Sequence, residues 1–103
     1  MMQRLLERAR AYGVGVEFAD LGDWGDDALC SEYDPYGPTI RIDARIADAL
    51  APDERERFVA RAIGHELYHH RERIGEVRRH ASRDAREREA DAYALASLDA
   101  SPA

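Results

Sequence analysis

His65-Glu66-Leu67-Tyr68-His69 is the stretch of this chain that names a chemistry. On a helix, positions i and i+4 lie one above the other on the same face. Two imidazoles at that spacing can hold one zinc ion without straining the backbone. Glu66, one residue on, then sits beside the metal rather than on it, placed to take a proton from the water that the metal activates. The surrounding sequence must supply the helix and turn it inward.

It does both. Pro52 suits a first helical position, and Asp53 and Glu54 complement the positive end of the helix dipole. The pattern predicts a helix from Pro52 to about Arg73 or Ile74. Val59, Ile63, Leu67, His70 and Ile74 make one apolar stripe, and Phe58, Ala62, His65 and His69 make the adjacent one. The paired histidines thus continue a row that faces the interior. Gly64 inside a helix costs about 1 kcal/mol relative to Ala, which suggests that another backbone passes close there. Gly75 is the expected terminator.

Upstream, residues 2–12 read as a helix with Leu5, Leu6, Ala9 and Tyr12 on its inner stripe, closed by Gly13. Val14, Val16 and Phe18 alternate as a half-buried strand. Residues 20–27 read as a loop, with Trp24 folded back as a partial plug. Residues 28–33 and 39–43 read as two strands joined by Asp34-Pro35-Tyr36-Gly37-Pro38. In the second, Ile40 and Ile42 face one way, Arg41 and Asp43 the other. A short turn or helix around residues 44–50 follows. Downstream, a last helix starts near Ser82 as N-cap, with Asp84 in its first turn, and the tail from Asp99 should fray. The whole is an α+β pattern, one compact domain over residues 1–103 with about three helices and a small three-stranded sheet.

Composition narrows the function. A net charge of −6 on 103 residues argues against general affinity for nucleic acid. The segment from Arg71 to Arg88 is a local exception, with seven arginines against four acids. It reads as a solvated helix end and loop, or as a docking surface for an acidic partner segment. No stretch approaches the roughly 18–20 apolar residues that cross a bilayer. No signal peptide is expected at the N-terminus, and the single Cys30 fits a reducing, cytoplasmic compartment.

A catalytic zinc needs a third protein ligand and a fourth position for water. Glu89, Glu87, His80, Asp84 and Asp91 are the available donors. Glu89 is favoured because it shares a helix face with Ala85, Ala92, Tyr93 and Ala96, a face that should pack on the metal helix. Glu87 points about 200° away from it and is expected to meet solvent. His70 lies about 100° off the site and reads as a packed or partly exposed side chain rather than a ligand. Glu72 and Gly75 stand where the longer H-E-x-x-H-x-x-G-x-x-H pattern needs Gly and His, which excludes that class.

The pentapeptide, the long helix before it, and Glu87-Arg88-Glu89-Ala90-Asp91-Ala92-Tyr93-Ala94 resemble the paired signatures of ImmA/IrrE-type metallopeptidases, an H-E-L-x-H helix followed by a helix reading E-A-[N/D]-x-[F/Y]-A. The helix, Val-Gly-Val strand and hairpin ending in Thr39-Ile40-Arg41-Ile42-Asp43 extend the likeness over nearly the whole chain. The resemblance implies a zincin-like domain in which His65, His69 and Glu89 hold Zn2+ and Glu66 is the general base. It implies a zinc endopeptidase whose substrate is a helix-turn-helix repressor of a phage, mobile element or stress circuit. The alternative is a non-proteolytic antirepressor on the same scaffold. The 39–43 strand is the expected sheet edge for substrate pairing, and Tyr93, Tyr68 or His80 the expected oxyanion stabiliser. Tyr68 replaces the Gly common between the histidines in that family, which should narrow the cleft.

Overall fold

The computed structural model describes residues 1–24, 27–28 and 30–99, with only the backbone described at Asp23, Trp24, Asp27, Ala28 and Asp99. The expected plug by Trp24 and the end of the tail lie outside what is described. In chain order the elements are α1 (Met2–Ala11), β1 (Gly15–Ala19), β2 (Asp23–Trp24), β3 (Asp27–Ala28), β4 (Ser31–Asp34), β5 (Thr39–Asp43), α2 (Ala44–Ala49), α3 (Pro52–Arg73) and α4 (Arg83–Asp99). Among the described residues, no helix is long and apolar enough to cross a membrane.

The sheet has the order β1-β5-β4, with β1 parallel and β4 antiparallel to β5. The strand expected over residues 28–33 begins only at Ser31, because Asp27 and Ala28 pair instead with Asp23 and Trp24 in a small separate hairpin. The strand expected to be the edge, β5, is the central one: Ile40 is flanked by Val16 of β1 and Tyr33 of β4. The outer strands are β1 and β4, and β4 is the one that packs along α3. Ile40 and Ile42 are fully buried against the helices, as their alternation requires. Arg41, on the opposite face, meets Glu17, Glu32 and Asp34 at 2.7, 3.4 and 3.1 Å. Asp43 does not join Arg41 outside. It is buried and accepts a hydrogen bond from the Arg45 amide at 3.0 Å, capping α2.

The core lies between the sheet and α3, where Val59, Ile63 and Leu67 meet Leu5, Ala9, Ile40 and Ile42. Burying each large aliphatic contributes about 1.5–3 kcal/mol. Gly13 and Gly75 end α1 and α3 with φ of 72° and 78°, the left-handed conformation that Gly takes without strain. Ser82 Oγ accepts from the Ala85 amide at 3.0 Å at the start of α4.

Helix α4 runs antiparallel to α3. Gly64 faces Ala94, His65 faces Asp91, and Glu72 faces Arg86. Gly64 is what lets the two axes approach: a Cβ there would stand 3.0 Å from Ala94 Cα and 3.2 Å from its Cβ. From the other side α1 clamps α4, with Arg8 donating to Tyr93 Oη at 3.2 Å and Ser97 Oγ at 3.1 Å. Overpacking of a tight contact costs about 1–3 kcal/mol. Gly64→Val is therefore expected to lower the unfolding free energy by about 2–3 kcal/mol in urea titration; an unchanged midpoint would show that α4 shifts freely.

Candidate metal centre

His65 and His69 stack one turn apart on α3, their ring centroids 5.1 Å apart. Each Nδ1 meets a carboxylate: His65 meets Asp91 Oδ1 at 2.8 Å, and His69 meets Glu72 Oε1 at 2.7 Å. An ionised carboxylate only accepts, so each ring can place a hydrogen on Nδ1 and offer its opposite nitrogen, turned inward, to a cation. Both inward nitrogens converge on one residue. Glu87 Oε2 lies 2.9 Å from His65 Nε2, and Glu87 Oε1 lies 3.3 Å from His69 Nε2. Two oriented imidazoles facing one carboxylate are the donor set that a divalent cation of the zinc type takes.

The structure thus places Glu87, not Glu89, against the paired imidazoles; Glu89 is exposed. The face of α4 that packs inward carries Ala90, Ala94, Ser97 and Leu98, and Glu87 lies one turn before Ala90 on that face. Glu89 is about 100° away from Ala90. Alanines occur on both the exposed side of this helix, at Ala92 and Ala96, and the buried side, at Ala90 and Ala94, so they did not mark the packed face. The spacing of Glu87 and Asp91 did carry a signal. Carboxylates at i and i+4 on one helix match imidazoles at i and i+4 on its antiparallel neighbour.

Glu72 and Arg86 are the supporting residues that sequence reasoning passed over. Glu72 is buried, and Arg86 donates to it through Nε and Nη2, each at 3.2 Å. Burial alone raises the Glu72 carboxyl, but the hydrogen bonds from Arg86 and His69 outweigh it and hold the group below its ordinary value. Glu72 therefore stays anionic and keeps the His69 ring fixed. Losing such support typically costs 10–100-fold in metal affinity. Arg86→Ala is expected to weaken zinc binding by about that range in competition titration, with the His65 and His69 pair intact; an unaltered affinity would make the pair purely structural.

Glu66 lies beside the imidazoles and reaches toward β4. It is 6% exposed, and Ser31 Oγ donates to its Oε2 at 2.6 Å. The match is geometric. Ser31 and Tyr33 are two apart on a strand, rising about 6.6 Å, while Glu66 and His70 are four apart on a helix, rising about 6 Å. Tyr33 Oη accordingly meets His70 Nδ1 at 2.7 Å, so His70 is a packed histidine as expected. Burial pushes the Glu66 carboxyl up, against the lowering by Ser31 and the two imidazoles. One donor atom from each of His65, Glu66 and His69 lies within 4.8 Å of the others, close enough to surround an ion.

Two hollows flank this group. One of about 410 Å³ is walled by Cys30, Phe58 and Ala62, and another of about 370 Å³ by Tyr33, His69, Arg83 and Arg86. Ser31, His65 and Glu66 border both. Neither is bordered by Tyr68, Tyr93 or His80. Tyr68 is buried against the Tyr93 ring at 5.8 Å and so does not narrow the cleft. Tyr93 is occupied by Arg8 and by Arg71, whose guanidinium lies 4.9 Å from the ring centroid. No protein-family model, curated protein or solved structure matches this chain.

Proposed function

We propose that the chain is a zinc-dependent endopeptidase in which His65, His69 and Glu87 hold the metal and Glu66 moves the proton. The observation that carries this is the convergence of two carboxylate-oriented imidazoles on Glu87, with a buried carboxylate, Glu66, one residue along the same helix. A zinc ion held there supplies Lewis acidity, which acidifies a water molecule toward a pKa of about 7 and polarises a peptide carbonyl.

The chain's own groups do the rest. Glu66 takes the proton of the attacking water and returns it to the leaving amine. Its burial raises its proton affinity, which suits a group that must both accept and donate near neutral pH. Ser31 fixes which oxygen is free, by occupying Oε2. Among the described residues the outer edge of β4 has no strand partner, and it borders both hollows through Ser31. An extended substrate strand added there would lay its carbonyls past Glu66. The ImmA/IrrE resemblance makes a helix-turn-helix repressor the target we favour.

The test is metal-dependent turnover. Purified protein is expected to carry one zinc per chain and to cut a mixed peptide library. A chelator should abolish cleavage, and added zinc should restore it. Cleavage that persists through complete metal removal would sink the proposal.

A further inference from the structure

We infer that the two hollows beside Glu66 select an extended polypeptide with a bulky apolar side chain on one side of the scissile bond and an aspartate or glutamate on the other, the acid being received by Arg83. This rests on the peptidase reading and adds the substrate class to it.

The hollows are arranged along the α3 axis. Phe58 and Ala62 precede His65 by seven and three residues, about 10 and 5 Å of helix rise, whereas His69 lies about 6 Å beyond it. Side chains two apart on a strand share a face and stand about 6.6 Å apart, so a strand on the β4 edge with a carbonyl at Glu66 can offer one side chain from each side of that carbonyl to the two hollows. The first is walled by the Phe58 ring, the Ala62 methyl and Cys30. Its charged groups are Arg61, Asp91 and Glu66; Asp91 is engaged by His65 and Glu66 by Ser31, which leaves no unengaged carboxylate to draw a basic side chain. An apolar side chain suits it better than a charged one.

The second hollow has a different balance. Its carboxylates, Glu66 and Glu87, are committed to the centre itself, and Arg86 is committed to Glu72. Arg83 is exposed and has no carboxylate partner among the described residues. The rest of the molecule, at a net charge of −6, repels acids. Beyond about 8 Å that repulsion is screened at physiological salt, so the local cation decides what the subsite accepts.

The experiment is cleavage-site mapping with the zinc-loaded protein on a mixed peptide library, read by mass spectrometry. The same library is passed over immobilised, zinc-loaded Glu66→Gln protein as a binding readout. Wild type is expected to favour Leu or Phe over Ala at one flanking position by about tenfold. It should favour Glu over Gln at the other by about fivefold. Arg83→Glu should turn the acidic preference into one for Lys or Arg. Alkylation of Cys30 with N-phenylmaleimide should remove only the apolar preference. Zinc content and thermal unfolding check that both altered proteins keep the fold. Cleavage without these preferences, or preferences that Arg83→Glu leaves unchanged, would overturn the subsite inference alone. Retention of apolar-plus-acidic peptides by Glu66→Gln without any cleavage by wild type would support the subsites and overturn the peptidase reading. Neither cleavage nor retention overturns both.

Discussion

Glu66→Gln is expected to lower peptide hydrolysis about a thousandfold while the protein still binds one zinc per chain. Positioned proton transfer contributes about 10²–10⁴ in rate, and Gln has the size of Glu without a titratable oxygen. The geometry makes this a clean substitution. The side chain is buried, and the Ser31 hydroxyl that donates to Oε2 at 2.6 Å can donate equally to an amide oxygen. The change thus removes the proton carrier and little else. Turnover within about tenfold of wild type would take Glu66 out of the mechanism. Loss of zinc would mean something different. The Glu66 carboxylate lies close enough to His65 and His69 to serve as a ligand, and a variant that no longer binds metal would show that it does. Measuring metal content beside kcat separates the two roles.

The long helix was legible because several signals agreed on it. Pro52 at the first position, the 3.6-residue apolar rhythm and Gly75 at the end gave bounds that the structure reproduces at Pro52–Arg73. Gly64 is the sharper case. A glycine that only weakens an isolated helix is explained once Ala94 is found 3.0 Å from where its Cβ would stand. Strand order was less legible. Ile40 and Ile42 showed which face of their strand is buried, yet alternation cannot tell a central strand from an edge strand. The parallel pairing of Gly15–Ala19 with Thr39–Asp43, which buries the expected edge, spans a crossover that no local pattern encodes. The face of α4 failed for a related reason. Apolar contrast around an alanine-rich helix is weak, so it did not separate the face of Ala85 and Glu89 from that of Glu87 and Ala90, although Glu87 and Glu89 point about 200° apart. What settles the rotation is a contact between helices, Ala94 on Gly64.

That rotation yields the most discriminating result, an opposite outcome for two glutamates two residues apart. Glu87→Ala is expected to weaken zinc binding by more than 100-fold, and Glu89→Ala to leave it within about twofold of wild type. Zinc binding by small protein sites is worth about 10–16 kcal/mol, or roughly 3 kcal/mol for each of four ligands. Each 1.4 kcal/mol is about tenfold in affinity at 25 °C, so one lost protein ligand exceeds two decades. Glu87 has the position to be that ligand, its two oxygens 2.9 and 3.3 Å from the inward nitrogens of His65 and His69. Glu89 is exposed on the far side of the Ala90–Ala94 stripe. Asp91→Ala gives an intermediate reference, since Asp91 orients His65 through Nδ1 without reaching its Nε2 partner. Its cost should fall in the 10–100-fold range of an orienting residue. The order Glu87, then Asp91, then Glu89 in competition titrations is what this rotation of α4 requires. A large loss at Glu89 with none at Glu87 would mean that the helix turns about 200° when metal binds, and Ala94 could not then remain against Gly64. The Gly64→Val protein would in that case bind zinc normally, so the two measurements together fix the helix face that holds the site.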